Sequence, residues 1–534
     1  MNIKEPEVVI IQLIKNIPHK IKVTFYSGLI WGFLFHGYMI LNKFTNQDDQ
    51  NRIVDTLTSS HAISLGRWSL LFYRNLFDKV TMPWVNGLVA IICASIISCL
   101  IVSLFKIKNS INCILISGII VGYPSLVGTM GYMFTVDAYM MAFLTSVIGI
   151  YLAVNCKNKW LSSIIAIILI AVAIGTYQLY LFTTITILFI LVLLDTLEIN
   201  NVIVNIKTGL RYIIIIISSY ILYEVISRLF LQKYDRGLNS YLDMDTNGIG
   251  AVLAEPERLY RPYTQFIDFF LEYDYGTTVS NLLPTIYIGM VIIMLLMIIT
   301  LIKKNKANSI LNITLTMVLI LLIPFVTALI YITTTNISDV SFRMVYSLAF
   351  VPVLFISILD RFIQLKIDNL TMSSGKNLIN WASILMCGII IFNQYLVDNK
   401  AYLLTGIAYE QAYSYWNNMM GRIEQNEEYT INMPIALVGN SFKSPYYKTY
   451  NRQFSCAKTT RPTLGGIADL SNIITSWSRY RFPYSYLGVE SPIMTNPEGL
   501  EYFENPIVQE MPVYPLVGSM KVIDGVMVVK LSDS

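Results

Sequence analysis

A chain of 534 residues that is 55% hydrophobic and 13% charged, with a mean hydropathy of +0.57, is not a soluble globular protein, because long apolar runs would lie on its surface. Its net charge of +4 is small and scattered, which leaves nucleic-acid binding without support. Apolar runs recur near the roughly 20 residues needed to cross a bilayer, so the composition predicts a polytopic α-helical membrane protein.

Residues 1–22 are short and basic and suit the cytoplasmic side. The stretch from Glu5-Pro6 to Pro18 reads as a short interfacial helix, and the first span runs from about Lys22 to Leu41. That span is not a cleavable signal: no small-residue cleavage site follows it, and Trp31, His36 and Tyr38 interrupt it. It exits through Asn46-Gln47-Asp48-Asp49-Gln50, which places two adjacent carboxylates at a membrane surface. Such a pair either solvates a helix exit or does chemistry. The first outer loop, 42–82, holds a predicted amphipathic helix over Gln50–Ser60 and then Gly66-Arg67-Trp68. That triplet reads equally as an interface anchor or as part of a site.

Spans are predicted at about 84–105, 110–128 and 136–155, then two within about Trp160–Leu194, and one at about 211–231. The two around Gly175-Thr176-Tyr177-Gln178 must be separate, since one helix that long would overrun the bilayer. A second outer loop, 232–279, is rich in Tyr, Asp and Arg, and further spans follow at about 280–302, 309–331, 343–363 and 378–396. Glu224, inside the drawn helix, is either a buried polar contact or a sign that the helix ends early. Lys/Arg-rich turns recur on one side, which predicts about eleven spans with the N-terminus inside and the C-terminus outside.

Residues 398–534 change character: charges, prolines and turn residues rise. Asp398 can cap a helix over Asn399–Gln425, Pro434–Val438 reads as a buried strand, and Lys521–Leu531 reads as a hairpin around Asp524-Gly525. The expectation is a small extracytoplasmic α/β domain. Its aromatics (Tyr446, Tyr447, Tyr450, Trp477, Tyr480, Phe482, Tyr484, Tyr486) either stack on sugar or build that domain's core. Of six cysteines, five lie in or beside apolar segments and Cys456 has no partner in its own region, which predicts no disulfide framework and no Cys/His metal site. The division is thus 1–22, a membrane domain 23–397, and 398–534.

The candidate acids all fall on the outer side: Asp48, Asp49, Asp137, Asp243, Asp245, Glu255, Asp274 and Asp339, with Arg52, Arg67, Arg74, Arg236, Arg258, Arg261 and Arg343 as bases. Carboxylates can take a proton from a hydroxyl nucleophile, and arginines can grip a phosphate through paired N–H donors. Asp243-Met-Asp245 has the D-x-D form of metal-using nucleotide-sugar enzymes or is a solvated loop pair. No Gly-rich phosphate cradle occurs on the inner side, so an enzyme working outside needs a donor carried by a lipid. Arg343 at a helix mouth either snorkels or meets a phosphate.

The order of these features resembles the bacterial GtrII-type glucosyltransferases, which modify O-antigen and related surface polysaccharides. The likeness rests on the Asn46–Gln50 exit, Gly66-Arg67-Trp68, Tyr177-Gln178, Arg343 and a polar outer tail. It implies a GT-C architecture and an essential acid in the first loop (Asp48 or Asp49). No cofactor is expected and no metal ligand is assigned, while metal dependence stays open. It implies donor-phosphate ligands at Arg67 and Arg343, and site-shaping by Trp68, Tyr177 and Gln178. The implied partners are the lipid bilayer, an undecaprenyl-phosphate-linked glucose donor and a polysaccharide acceptor. A lipid-borne donor further implies a glycosyltransferase that makes it and a flippase that turns it over. The bacterial cytoplasmic membrane is the implied location. Two other readings stand beside this one: a transporter or flippase of a lipid-linked glycan, and a non-catalytic assembly subunit that binds through its outer domain.

Overall fold

The computed structural model describes residues 6–44, 48, 59–76, 80–239, 254–272, 282–337, 340–366, 370–439, 481–494 and 501–533. The amphipathic helix expected near 50–60 lies outside these residues. So do Asp49, Arg52, Asp243, Asp245, Asp274, Asp339, Cys456, Tyr446, Tyr447, Tyr450, Trp477 and Tyr480.

A short helix α1 (Pro6–Asn16) precedes the first span, α2 (His19–Leu41). Two one-turn helices, α3 (Ser59–Ser64) and α4 (Leu70–Asn75), lead to α5 (Pro83–Leu104). Then come α6 (Ser110–Val121), α7 (Pro124–Met130), α8 (Met133–Asn155), α9 (Lys159–Ile174), α10 (Tyr180–Glu198) and α11 (Val202–Lys233). An amphipathic helix, α12 (Arg261–Leu271), is followed by α13 (Leu282–Lys304), α14 (Ile310–Thr327), α15 (Phe350–Ile363) and the 55-residue α16 (Leu370–Glu424). Asparagine or serine side chains cap several starts: Asn109 for α6, Asn158 for α9, Asn201 for α11 and Ser309 for α14 each accept backbone N–H groups left over by the first turn.

Among the described residues nine helices are long and apolar enough to cross a bilayer: α2, α5, α8, α10, α11, α13, α14, α15 with the turn before it, and α16. The chain is therefore a mostly helical, membrane-embedded protein. The expected count of eleven needs two more: α6 with α7, and the 16-residue α9. The span drawn straight over 110–128 is bent by 42° between Val121 and Pro124. Pro124 lacks an N–H and disfavours helix at the residue before it.

Three boundaries differ from the sequence reading. The helix expected from 211 begins at Val202, where Asn201 caps it, and continues through Glu224 to Lys233. Glu224 is half-buried and pairs with Arg228 one turn on, at 3.8 Å. The span expected to open at Arg343 opens at Phe350, after 3₁₀ turns at Phe342–Met344 and Tyr346–Ala349. Asp398 caps nothing: it lies inside the continuous α16, fully buried, with neither carboxylate oxygen hydrogen-bonded among the described residues. A cap needs a non-helical backbone, and α16 carries helix across the membrane and beyond without a break. One turn after Asp398, Tyr402 meets His36 Nδ1 at 2.8 Å, while His36 Nε2 meets the Val121 carbonyl at 2.8 Å. A carbonyl only accepts, so Nε2 carries the proton and Tyr402 donates to Nδ1.

α2 and α5 approach closely because glycines line their contact. A Cβ on Gly28 would fall 2.8 Å from Ser95 Oγ, on Gly32 2.3 Å from Ile91 Cγ2, and on Gly87 2.2 Å from Ile40 Cγ2. The bundle has a basic face and a loop-rich face. On the basic face Asp360, at the end of α15, accepts from Lys108 N, Asn109 N and Asn112 Nδ2, each at 2.9 Å, and Arg361 pairs with Glu198 at 2.7 Å. On the loop-rich face the segments 59–76, 175–179, 254–272, 333–337 and 340–349 come together.

Beyond α16 the chain forms a four-stranded sheet in the order β2-β1-β4-β3, from β1 (Ile435–Val438), β2 (Ile493–Met494), β3 (Met520–Ile523) and β4 (Val526–Lys530). β1 runs parallel to β2 and β4, and β3 pairs antiparallel with β4. The β3–β4 turn is Asp524-Gly525, both with positive φ (50° and 78°), as a two-residue hairpin turn of the right hand needs. One sheet face packs Leu437, Met527 and Val529 on Tyr415, Trp416 and Met419 of α16. Phe482 and Tyr486 of the aromatic-rich stretch join this core.

The glycine contact predicts a measurable asymmetry along α2. Gly32→Val should destabilise the protein by about 1–3 kcal/mol through overpacking, read as a lower melting temperature in detergent. Gly37→Val, whose Cβ meets nothing within 4 Å, should leave the melting temperature unchanged.

Candidate active site on the loop-rich face

The segment 64–69 is seated in the bundle by hydrogen bonds to its backbone. Ser69 N donates to the Gly175 carbonyl at 3.0 Å, Gln178 Nε2 donates to the Leu65 carbonyl at 2.7 Å, and Asn239 N donates to the Ser64 carbonyl at 2.8 Å. Ser69 Oγ adds bonds to the Val172 carbonyl and Thr176 Oγ1, both at 2.6 Å. Gly66 is required twice over: its φ is +70°, and a Cβ there would sit 2.5 Å from the Tyr223 hydroxyl and 2.9 Å from Gln178 Nε2. Trp68 is 5% exposed, stacks on Phe230 at 5.7 Å and lies over Gly175, where a Cβ would meet its ring at 2.5 Å. Of the two readings of Gly66-Arg67-Trp68, an interface anchor does not describe this buried tryptophan. Trp68 and Gln178 hold the segment from behind.

What they hold in place is Arg67. Its Nη1 donates to the Tyr139 hydroxyl at 3.0 Å, and its guanidinium sits 5.3 Å from the centre of the Tyr177 ring. Tyr139 and Tyr177 stack face to face at 4.4 Å, and Tyr180 meets the edge of Tyr177 at 5.6 Å. Arg343 arrives from the 3₁₀ turn after α14 and covers the Tyr132 ring at 4.0 Å. Its backbone packs against Gly128, where a Cβ would stand 3.1 Å from Arg343 N. The charges of both Arg67 and Arg343 reach the Tyr177 hydroxyl. Arg67 Nε and the Tyr177 hydroxyl are buried with no hydrogen-bond partner among the described residues. Buried donors are normally satisfied, so these two are open to a ligand.

Near this cluster lies Asp137, fully buried in the second turn of α8, with Arg74 Nη1 4.0 Å from its Oδ1. The Asn86 carboxamide faces the same carboxylate. Arg74 and Asp137 stood among the candidate bases and acids but outside the predicted site. Tyr132 and Tyr139 were not singled out at all. One signal was available: Asp137 is the only acid in the apolar run Met133–Asn155, and an ionisable residue inside a span calls for a role. At the mouth of this region the Arg258 hydrogen bond, 2.9 Å long, holds the Glu255 carboxyl below the usual carboxylate range. Arg261 donates to the Thr334 and Thr335 carbonyls.

Of the predicted site residues, Arg67, Arg343 and Tyr177 converge. Trp68 and Gln178 support them. Asp48 is half-buried, and Asp49 lies outside the described residues. Arg67 and Arg343 both border the Tyr132–Tyr139–Tyr177 aromatic group, and both charges reach the Tyr177 hydroxyl, a positively charged and partly desolvated setting that suits a phosphate.

A family model described as glucosyl transferase GtrII matches residues 37–356, more than half of the chain, and that stretch contains every residue of this site. No curated protein and no solved structure matches the chain.

The buried pair behind the site predicts a non-additive pattern. Arg74→Leu should cost about 3–5 kcal/mol by stranding the Asp137 charge, and the double variant Arg74→Leu/Asp137→Asn should recover a large part of it. Melting curves of the two proteins in the same detergent check this.

Proposed function

The chain belongs to the GtrII glucosyltransferase family, and on that footing we propose that it moves glucose from a polyprenyl-phosphate carrier to a hydroxyl of a cell-surface polysaccharide of the O-antigen kind. The reaction takes place at the outer face of a bacterial cytoplasmic membrane. The N-terminus lies in the cytoplasm, and residues 398–534 form an extracytoplasmic domain. The observation that carries the reading is the convergence of Arg67 and Arg343 around buried tyrosines, within the family-matched stretch. Such a site suits a phosphate that gains charge as it leaves.

In the proposed step an acceptor hydroxyl oxygen attacks the anomeric carbon. The bond from that carbon to the phosphate oxygen breaks, and polyprenyl phosphate departs with the electron pair. The hydroxyl proton passes to a carboxylate of the first loop, Asp48 or Asp49. Arg67, held by Tyr139, and Arg343, braced on Tyr132, take up the charge on the leaving phosphate. The Asp137–Arg74 pair keeps the second turn of α8, and so Tyr139, in place. Attack from the side opposite the leaving group inverts the anomeric centre, in line with the GT-C likeness.

The test is sugar transfer from polyprenyl-phosphate-glucose to the host's surface glycan in membranes with matched expression. Either Asp48→Asn or Asp49→Asn should lose about 10²-fold to 10⁴-fold, the usual contribution of a positioned base. Arg67→Ala and Arg343→Ala should each lose about 10²-fold to 10³-fold. Full activity in the Asp48→Asn/Asp49→Asn double variant would move the base elsewhere. Full activity in both arginine variants would overturn the phosphate assignment.

A further inference from the structure

An apolar groove of about 290 Å³ lies between α12, α13 and α15. Phe266 and Phe270 of α12 form one wall, Tyr287 and Met294 of α13 another, and Val351 and Phe355 of α15 the floor. The groove sits in the half of the bundle nearer the loop-rich face, since it uses the early turns of α13 and the first two turns of α15. Its volume is close to the lower end, roughly 300 Å³, of small-molecule pockets, so it holds part of a long chain and not a whole lipid.

Two observations connect it to the site. Its wall is fixed: α12 begins at Arg261, whose guanidinium is bonded to the Thr334 and Thr335 carbonyls at 2.8 and 3.0 Å. Its inner end also continues as an unbroken aromatic path. Phe270 meets Tyr287 at 4.8 Å and Phe269 at 4.9 Å, and Phe269 stacks on Phe342 at 5.3 Å with their planes 12° apart. The next residue in the chain is Arg343. An apolar groove in a membrane gains little from being apolar, because acyl chains are equally apolar. Selection must therefore come from a head group held at one end, and this groove ends on the segment that carries a phosphate-binding arginine.

We propose that the groove between α12, α13 and α15 seats the isoprenoid tail of the lipid donor, with Phe269 and Phe342 leading from it to the phosphate at Arg343. The proposal rests on the donor reading given above. It assigns Val351, Met294 and Phe270 to tail recognition, a role apart from the chemistry at Arg67 and Arg343.

The test uses the full-length protein in nanodiscs and a polyprenyl phosphate bearing a diazirine in its chain. Labelling should be saturable, should fall on α12, α13 and α15, and should be competed by unmodified polyprenyl phosphate but not by phosphatidylglycerol. Val351→Trp, which fills the floor, should lower it about tenfold, as expected for about 1.4 kcal/mol of lost binding. It should also raise KM for a long-chain donor by a similar factor while leaving KM for a two-isoprene analogue unchanged. Leu321→Trp, on the lipid-exposed side of α14, is the control for added bulk. Label spread over the exposed faces of α9, α11 and α14, or competed equally by phosphatidylglycerol, would overturn the assignment in favour of annular lipid. An equal KM change for long and short donors would also overturn it. Wild-type protein that labels as proposed but transfers no sugar would keep the tail site and sink the donor reading instead, so the two failures are distinguishable.

Discussion

A chain segment that enters a membrane protein without forming a spanning helix must find a partner for every buried backbone donor and acceptor. The arrangement of this molecule's loop-rich face follows from that constraint at residues 64–69. The Gly175 carbonyl, the Gln178 side chain and the backbone of Asn239 supply the partners. Because α9 ends at Ile174 and α10 begins at Tyr180, the turn between them has carbonyl and amide groups to give. The same turn carries Tyr177, so the exchange that satisfies the first loop also places Arg67 against the Tyr139–Tyr177 stack.

The two arginines reach their positions by different means. Arg67 rides on a loop locked by hydrogen bonds and by a tryptophan buried over Gly175. Arg343 rides on a 3₁₀ turn pressed against Gly128, with no room for a side chain between them. Both positions depend on glycine in a neighbouring element, which lets backbone approach closely enough to aim a long side chain. The Tyr139 and Tyr177 rings beside them are stacked and buried. Unlike charges then interact more strongly than at a solvated surface, and stranded charges cost more, as at Asp137.

The opposite face is organised differently. There Asp360, Arg361, Glu198 and Asn312 cap helix ends and stitch neighbouring spans together. The loop-rich face keeps unspent donors at Arg67 Nε and the Tyr177 hydroxyl.

Most of the spans were legible in the sequence, because a run of apolar residues near bilayer length has few other uses. The hairpin at Asp524-Gly525 was legible because those residues suit positive φ. Arg343 and Tyr177 were legible as polar residues at span ends, and Arg67 as part of the Gly66-Arg67-Trp68 triplet in the first outer loop. Hydropathy cannot see helix continuity, and so it divided α16 at Asp398, where the helix runs on unbroken with Asp398 buried inside it. It drew 110–128 as one span, where Pro124 ends one helix and starts another at an angle of 42°. It also could not see that Trp68 is buried or that Tyr132, Tyr139, Arg74 and Asp137 join the site. By itself, the sequence determined that the chain is a membrane protein with polar groups gathered at one set of helix ends. Which of those groups meet was decided only by the tertiary structure, because helices far apart in the chain come together through close-packed glycines and shared hydrogen bonds that leave no periodic mark along it.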